Sequence, residues 1–156
     1  MWDLNVINQM KNYAELNNVP IMTESGIRYL IKYITKNNVK RVLEIGTAIG
    51  YSAIMMCTAD PELMVTTIER DEKRYLEALK NIKKMGLEDR IQLIYKDALE
   101  VTLNDYYDLI VIDEYQHAGA LITSQKLNLL FNMFKNAKII GTSATPIRYL
   151  DNQKDM

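Results

Sequence analysis

Val42-Leu43-Glu44-Ile45-Gly46-Thr47-Ala48-Ile49-Gly50-Tyr51-Ser52 runs from an apolar strand, through a turn bounded by two glycines, into a helix. That order marks the first strand–turn–helix unit of an α/β sheet, where a nucleotide-type ligand sits at the carboxyl end of the strand. Gly46 and Gly50 let the backbone approach a ligand closely, and the helix start offers unpaired N–H groups. Glu44 argues against a pyrophosphate, because a carboxylate beside a phosphate repels it. A ligand with hydroxyls and a positive charge suits the turn better. Ala48 takes the middle glycine position of the dinucleotide fingerprint, and no Gly-Lys-Ser or Gly-Lys-Thr occurs anywhere. Neither a dinucleotide turn nor a phosphate-cradling loop is therefore expected. The plain alternative is a corner whose glycines serve packing alone.

Outward from this unit, the period of Leu4, Ile7, Met10 and Ala14 predicts a helix over 3–17, ended by Val19-Pro20. A second helix follows Thr23, with Ile27, Leu30, Ile31 and Ile34 on one face, and stops at Asn37-Asn38. Strands are expected at 41–45, 65–69, 91–95, 109–112 and 138–141, and helices at 51–59, 71–85 and 122–134. In the helix over 71–85, Tyr75, Leu76, Leu79 and Ile82 share a face, and Gly86 ends it in the left-handed conformation. Strands alternating with helices imply parallel pairing and right-handed crossovers. The expected fold is α/β, a Rossmann-like three-layer sandwich with sheet order 3-2-1-4-5, in a single domain over 1–156.

The 156 residues suffice for one domain with a real core. With 19 basic and 20 acidic residues, the net charge of −1 gives no sign of a strongly basic nucleic-acid surface. The single cysteine, Cys57, rules out an intramolecular disulfide and most thiolate metal sites. No signal peptide and no apolar run near 18 residues is present, so a cytoplasmic location without membrane attachment is expected. His117, the single histidine, reads as a surface residue at a helix start.

Glu44, Glu69 and Asp113 lie at strand ends, and Asp97 lies just beyond the third strand. In a doubly wound sheet these carboxyl ends line one crevice, where ligands bind. Glu69 falls where an acid takes ribose hydroxyls.

Taken together, Val19-Pro20-Ile21-Met22, Glu44 through Ser52, Ile68-Glu69-Arg70, Lys96-Asp97-Ala98 and Tyr107 through Asp113 resemble one family. It is that of the S-adenosylmethionine-dependent O-methyltransferases, in the metal-dependent group of catechol and caffeoyl-CoA type. That group includes the bacterial methyltransferases of 5-hydroxyuridine in tRNA. The resemblance implies S-adenosylmethionine as cofactor, with Glu44, Gly46, Tyr51 and Ser52 around its methionine part. It implies Glu69 on the ribose hydroxyls, Asp97 and Ala98 bordering the adenine, and Met22 lying over the cofactor. Asp113 would be catalytic, a cofactor neighbour and the first ligand of a divalent metal such as Mg²⁺.

After Asp113 the pattern changes. The family's lysine-bearing continuation is replaced by Glu114-Tyr115-Gln116, and its Asp-Asn at the fifth strand by Gly141-Thr142-Ser143-Ala144-Thr145. One carboxylate alone makes a poor magnesium site. Asp113-Glu114-Tyr115-Gln116-His117 and Ser143-Ala144-Thr145-Pro146 resemble the Asp-Glu box and Ser-Ala-Thr motif of a superfamily 2 helicase, over about residues 108–156. The reading is a hybrid of the two families, methyltransferase-like over 1–113 and helicase-like over 114–156, joined within the shared strand. A single divergent methyltransferase is the alternative.

The resemblance implies methyl transfer to a hydroxyl oxygen, that of a tRNA nucleoside among the acceptors, impaired here by the incomplete metal site. A helicase-derived ATPase fragment and a non-catalytic scaffold are the competing readings. The family's closing antiparallel strands are absent from this reading, which leaves strand five as an exposed edge and a route to a homodimer.

Overall fold

The computed structural model describes residues 3–103, 106–112, 132, 136–141 and 148–149. In chain order it contains α1 (Leu4–Leu16), α2 (Glu24–Lys36), β1 (Arg41–Ile45), α3 (Tyr51–Met56), β2 (Met64–Glu69) and α4 (Glu72–Lys84). β3 (Ile91–Tyr95), a 3-10 turn at Ala98–Glu100, β4 (Leu109–Ile112), β5 (Lys138–Gly141) and β6 (Arg148–Tyr149) follow.

Short polar side chains set the helix limits. Asp3 accepts the Asn5 N–H at 2.9 Å, Thr23 accepts that of Gly26 at 3.1 Å, and Asp71 accepts that of Arg74 at 2.9 Å. Each cap satisfies an N–H that the first helical turn leaves without a partner. The same three helices end alike, on a left-handed residue: Asn18 and Asn38 at φ 53° and Gly86 at φ 68°. The next residue then bonds back into the last turn, Val19 to Ala14 at 2.9 Å, Val39 to Ile34 at 3.0 Å and Leu87 to Ile82 at 3.1 Å. α3 is shorter than the expected 51–59. Thr58 turns its N–H and its hydroxyl onto the Met55 carbonyl, and Pro61 disfavours helical backbone at Asp60 just beyond.

The sheet order is β3-β2-β1-β4-β5-β6, parallel from β3 to β5. This is the Rossmann-like order expected. β6, however, pairs antiparallel with β5, Ile140 opposite Tyr149 and Gly141 opposite Arg148. The expectation of an exposed β5 edge, and of a dimer through it, loses its premise there: the outer part of β5 already has a hydrogen-bonded neighbour.

Each sheet face carries its own core. Val42, Val65, Ile91, Leu109, Val111 and Ile140 meet α1 through Val6, Ile7 and Met10, α2 through Ile27, Leu30 and Ile34, and also α3 and α4. Leu43, Ile45, Ile68, Ile110, Ile112 and Ile139 fill the other face, with Tyr107, Ala98, Val101 and Leu103 against them. Two expected faces hold in part. Ile7, Met10 and Ala14 in α1 and Ile82 in α4 point inward as expected, but Leu4 is 69% and Leu76 54% exposed, and Val6, Ala78 and Asn81 are buried as well. A small residue is needed at 78 because the Gly50 turn packs on it, which hydrophobicity alone does not reveal. The expected helix over 122–134 lies outside the described residues, apart from Asn132.

Candidate functional site

The turn after β1 is built on three left-handed residues, Gly46 at φ 95°, Ala48 at φ 52° and Gly50 at φ 90°. It is fastened from two sides. The N–H groups of Gly46 and Thr47 reach the Ile68 carbonyl at 2.9 and 3.3 Å, and Ala48 N–H donates to Glu69 Oε1 at 2.7 Å. From α4, Asn81 Nδ2 donates to the Ile49 carbonyl at 2.9 Å. Within 42–54 every residue is buried except Gly46, which is half-buried. The backbone at Gly46 is thus where this unit opens to solvent.

Glu44 lies behind the turn rather than on its rim. It is 0% exposed, its Oε1 accepts from Thr67 Oγ1 at 2.6 Å, and its Oε2 accepts from Ser52 Oγ. The cause is register: Glu44 is level with Thr67, two residues before Glu69 at the end of β2. The expected row of four acids on one rim therefore breaks at Glu44. Sequence reading passed over Thr67, Thr47 and Asn81. Their signal was polarity inside a buried strand, a buried turn and a helix face, since such groups need partners.

Glu69 is at the rim. Its Oε2 accepts the Asp71 N–H at 3.0 Å. Burial pushes its carboxyl above the ordinary glutamate value, against the opposing pull of the Asp71 and Ala48 N–H groups and the Arg74 charge. Beside it, Lys96 N–H bonds the Glu69 carbonyl at 3.0 Å, which sets Asp97 next to the end of β2. Arg70 lies 3.7 Å from Asp97 in an ion pair, and Ala98 is half-buried. Met22 and Tyr51 are in the helical core, 4% and 3% exposed. The Tyr51 ring has Lys11 Nζ 6.0 Å from its centroid, and burial, followed by the nearby Glu24 charge, raises its hydroxyl pKa. The structure thus brings Glu44 to Ser52, and Gly46 to the end of β2 with Glu69 and Asp97. Asp113, Glu114, Gln116, His117 and residues 142–146 lie outside the described residues.

A family model described as O-methyltransferase matches residues 3–141. The chain belongs to the O-methyltransferase family. Caffeoyl-CoA O-methyltransferase of Populus kitakamiensis is 36% identical over 89 residues, covering 56% of this chain and 37% of that protein. The crystal structure of a Staphylococcus aureus protein named "putative caffeoyl-CoA O-methyltransferase" matches with a TM-score of 0.76 at 31% identity, covering 89% of this chain and 73% of that one. An O-methyltransferase from Bacillus cereus, solved in complex with SAH, shares the fold at TM-score 0.68 and 22% identity, covering 90% and 66% of the two chains. The chain spans between 37% and 57% of the caffeoyl-CoA and catechol O-methyltransferases it matches. The family match also runs past Asp113, where the sequence reading placed a joint between two families.

The donor set at the rim suits a ligand rich in hydroxyls. A carboxylate offers about four lone-pair sites, and backbone N–H groups occupy two of those on Glu69. Among the described residues, no group of three His, Cys, Asp or Glu is placed to hold a metal. Asp113, the expected first ligand of Mg²⁺, lies outside the described residues. Among the described residues no helix is long and apolar enough to cross a membrane.

Proposed function

We propose that this chain binds S-adenosylmethionine at the carboxyl ends of β1, β2 and β3, and moves its methyl group to a hydroxyl oxygen. One observation carries the reading: the Glu69 carboxylate, held at the end of β2 by Ala48 and Asp71, stands beside the half-open Gly46 backbone. A fixed carboxylate with unused lone pairs accepts two vicinal hydroxyls, as a ribose presents them. Asp97 and Ala98, next along the rim, would border the base, with Arg70 holding Asp97 in place. Gly46 leaves room for the aminoacyl end, and Met22 and Tyr51 would close the helical side.

Glu44 and Ser52 act in this scheme from behind, by shaping the turn. When bound, the cofactor supplies an electrophilic methyl group. The protein's part is to orient it and the acceptor for in-line displacement and to exclude water. Membership of the family and the SAH complex of the Bacillus cereus protein support the choice of cofactor. A tRNA nucleoside as acceptor is a narrower form of the proposal. So is a transfer weakened by the departures after Asp113. Both are tested by comparing methylation of tRNA that carries 5-hydroxyuridine with that of small phenols, with and without Mg²⁺.

Titration calorimetry with S-adenosylmethionine and S-adenosylhomocysteine is the direct experiment. Saturable one-to-one heat is expected, with none from Mg²⁺–ATP. No heat with either adenosyl ligand at millimolar concentration overturns the reading, and saturable binding of Mg²⁺–ATP instead would favour the helicase-type alternative.

A further inference from the structure

We infer that Thr67, in the middle of the sheet and 0% exposed, is a positioning residue that sets the turn against the Glu69 carboxylate. The inference rests on reading that turn as the cofactor seat. Its ground is a count of hydroxyl protons. Thr67 Oγ1 is 2.6 Å from Glu44 Oε1 and 2.6 Å from Thr47 Oγ1. A carboxylate only accepts, so the single Thr67 proton goes to Glu44, and Thr47 must donate to Thr67. Ser52 donates to the second Glu44 oxygen. The relay therefore has one direction: Thr47 to Thr67 to Glu44, met from the far side by Ser52.

The relay joins four elements. Thr47 opens the turn, Ser52 begins α3, Glu44 belongs to β1 and Thr67 to β2. Both ends of the turn are thereby tied to one buried carboxylate. A buried carboxyl group needs such partners for its oxygens. Thr67 and Glu69 also project to the same side of β2, since side chains alternate along a strand. With Thr67 gripping the base of the turn and Glu69 its crest at Ala48, β2 holds the turn at two heights. Removing the lower grip leaves the start of the turn held to β2 by the bonds of the Gly46 and Thr47 N–H groups to the Ile68 carbonyl alone, so Gly46 can shift relative to Glu69. A ligand bridging the two would then bind more weakly even if the fold survives.

Thr66 provides the control. It is equally a buried threonine of β2, 6% exposed, but on the opposite face, where it accepts the Tyr107 hydroxyl at 3.2 Å. Thr67→Val, Thr67→Ser and Thr66→Val are to be compared with the parent. S-adenosylhomocysteine affinity is read by calorimetry, and exchange of the Gly46–Gly50 amides by hydrogen–deuterium exchange. Thr67→Val is expected to weaken binding about tenfold or more, while Thr67→Ser, which keeps the relay, and Thr66→Val stay within about threefold of the parent. Faster exchange of the Ala48 and Gly50 amides is expected in Thr67→Val alone. Parent-like affinity in Thr67→Val, or an equal loss in Thr66→Val, overturns the inference. If Thr67→Val does not fold, Thr47→Ala removes the first donor and should weaken binding likewise; parent-like binding by it has the same overturning force. If the parent itself binds no S-adenosylhomocysteine, the cofactor reading fails by itself. The exchange comparison then decides separately whether Thr67 fixes the turn, and equal exchange in Thr67→Val and Thr66→Val refutes that.

Discussion

Glu69 Oε1 accepts the N–H of Ala48 at 2.7 Å, across the gap between the end of β2 and the turn after β1. Ala48 is a non-glycine residue at φ 52°, a backbone state that costs roughly 1–2 kcal/mol for a residue with a Cβ. A hydrogen bond to a charged group contributes about 1.5–3 kcal/mol. The bond thus matches or exceeds the strain, and the turn can hold an alanine where its neighbours at 46 and 50 are glycines.

Removing that carboxylate should separate structure from binding. Glu69→Ala leaves a buried N–H without its acceptor and is expected to lower stability by about 1–3 kcal/mol, with loss of S-adenosylhomocysteine binding. Retained parent-level binding would favour the scaffold reading instead. Glu69→Gln isolates the charge. Because burial raises the folded pKa above the ordinary 4.5, the folded state holds its proton longer than the unfolded chain. The stabilisation this confers is complete below about pH 4.5 and is lost as pH rises through the folded value. Denaturant unfolding at stepped pH should show parent stability, relative to Glu69→Gln, falling across that interval and level above it. A difference that rises with pH across the same interval would mean that the N–H groups outweigh burial.

Gly50 has no such compensating bond from a side chain. Its φ is 90°, and a Cβ there would meet Ala78 Cα and Cβ at 3.5 Å, which is ordinary contact. Space is available, so the cost of Gly50→Ala is conformational, about 1–2 kcal/mol. Thermal unfolding should show a midpoint lower by several degrees, on the scale of about 2–4 °C per kcal/mol for a chain of this size. An unchanged midpoint would mean that the turn adopts another backbone path.

The turn, the strands and the helix stops were legible because each depends on local chemistry: glycines at 46, 50 and 86, Val19-Pro20 after the first helix, the asparagine pair at 37–38, and short β-branched runs. The rim acids were legible in part. Glu69 ends β2 and Asp97 lies just past the end of the neighbouring β3, paired with Arg70, but the depth of Glu44 is fixed by its pairing with Thr67, a register no local pattern encodes. Leu76 was misplaced for a related reason, since the face of α4 is chosen by the turn resting on Ala78. β6 escaped notice because two residues carry too little alternation to read as a strand.

Cys57 offers a probe of this core from inside. It is 2% exposed, and burial pushes its thiol up to about 11, with Arg90 opposing and Glu44 adding to the rise. At pH 8 only about a thousandth is thiolate, the reactive form. Ellman's reagent is expected to modify Cys57 only as fast as the protein unfolds, with stoichiometric reaction in denaturant. Rapid full labelling under native conditions would place the thiol at the surface and contradict this packing.

Asp108 sits at the opposite end of the sheet and should respond to pH in the opposite sense to Glu69. Its Oδ2 accepts the N–H groups of Lys40 and Arg41 at 2.8 and 3.0 Å, so one carboxylate holds the start of β1 beside β4. Burial alone would raise its pKa. The two N–H groups, the Tyr106 hydroxyl and the Arg41 charge together outweigh burial and bring the carboxyl below its ordinary 3.8. Stability from this group is therefore present above about pH 3.8 and lost as pH falls through the lower folded value. Asp108→Ala should cost about 1–2 kcal/mol at neutral pH, since water partly replaces the lost acceptor at this half-buried position. Asp108→Asn, which keeps an acceptor oxygen but no charge, should cost less. Acid titration followed by circular dichroism should show the parent losing its advantage over Asp108→Asn only in the acid limb. An advantage that persists there undiminished would show that the hydrogen-bond geometry, rather than the charge, holds β1 at this end.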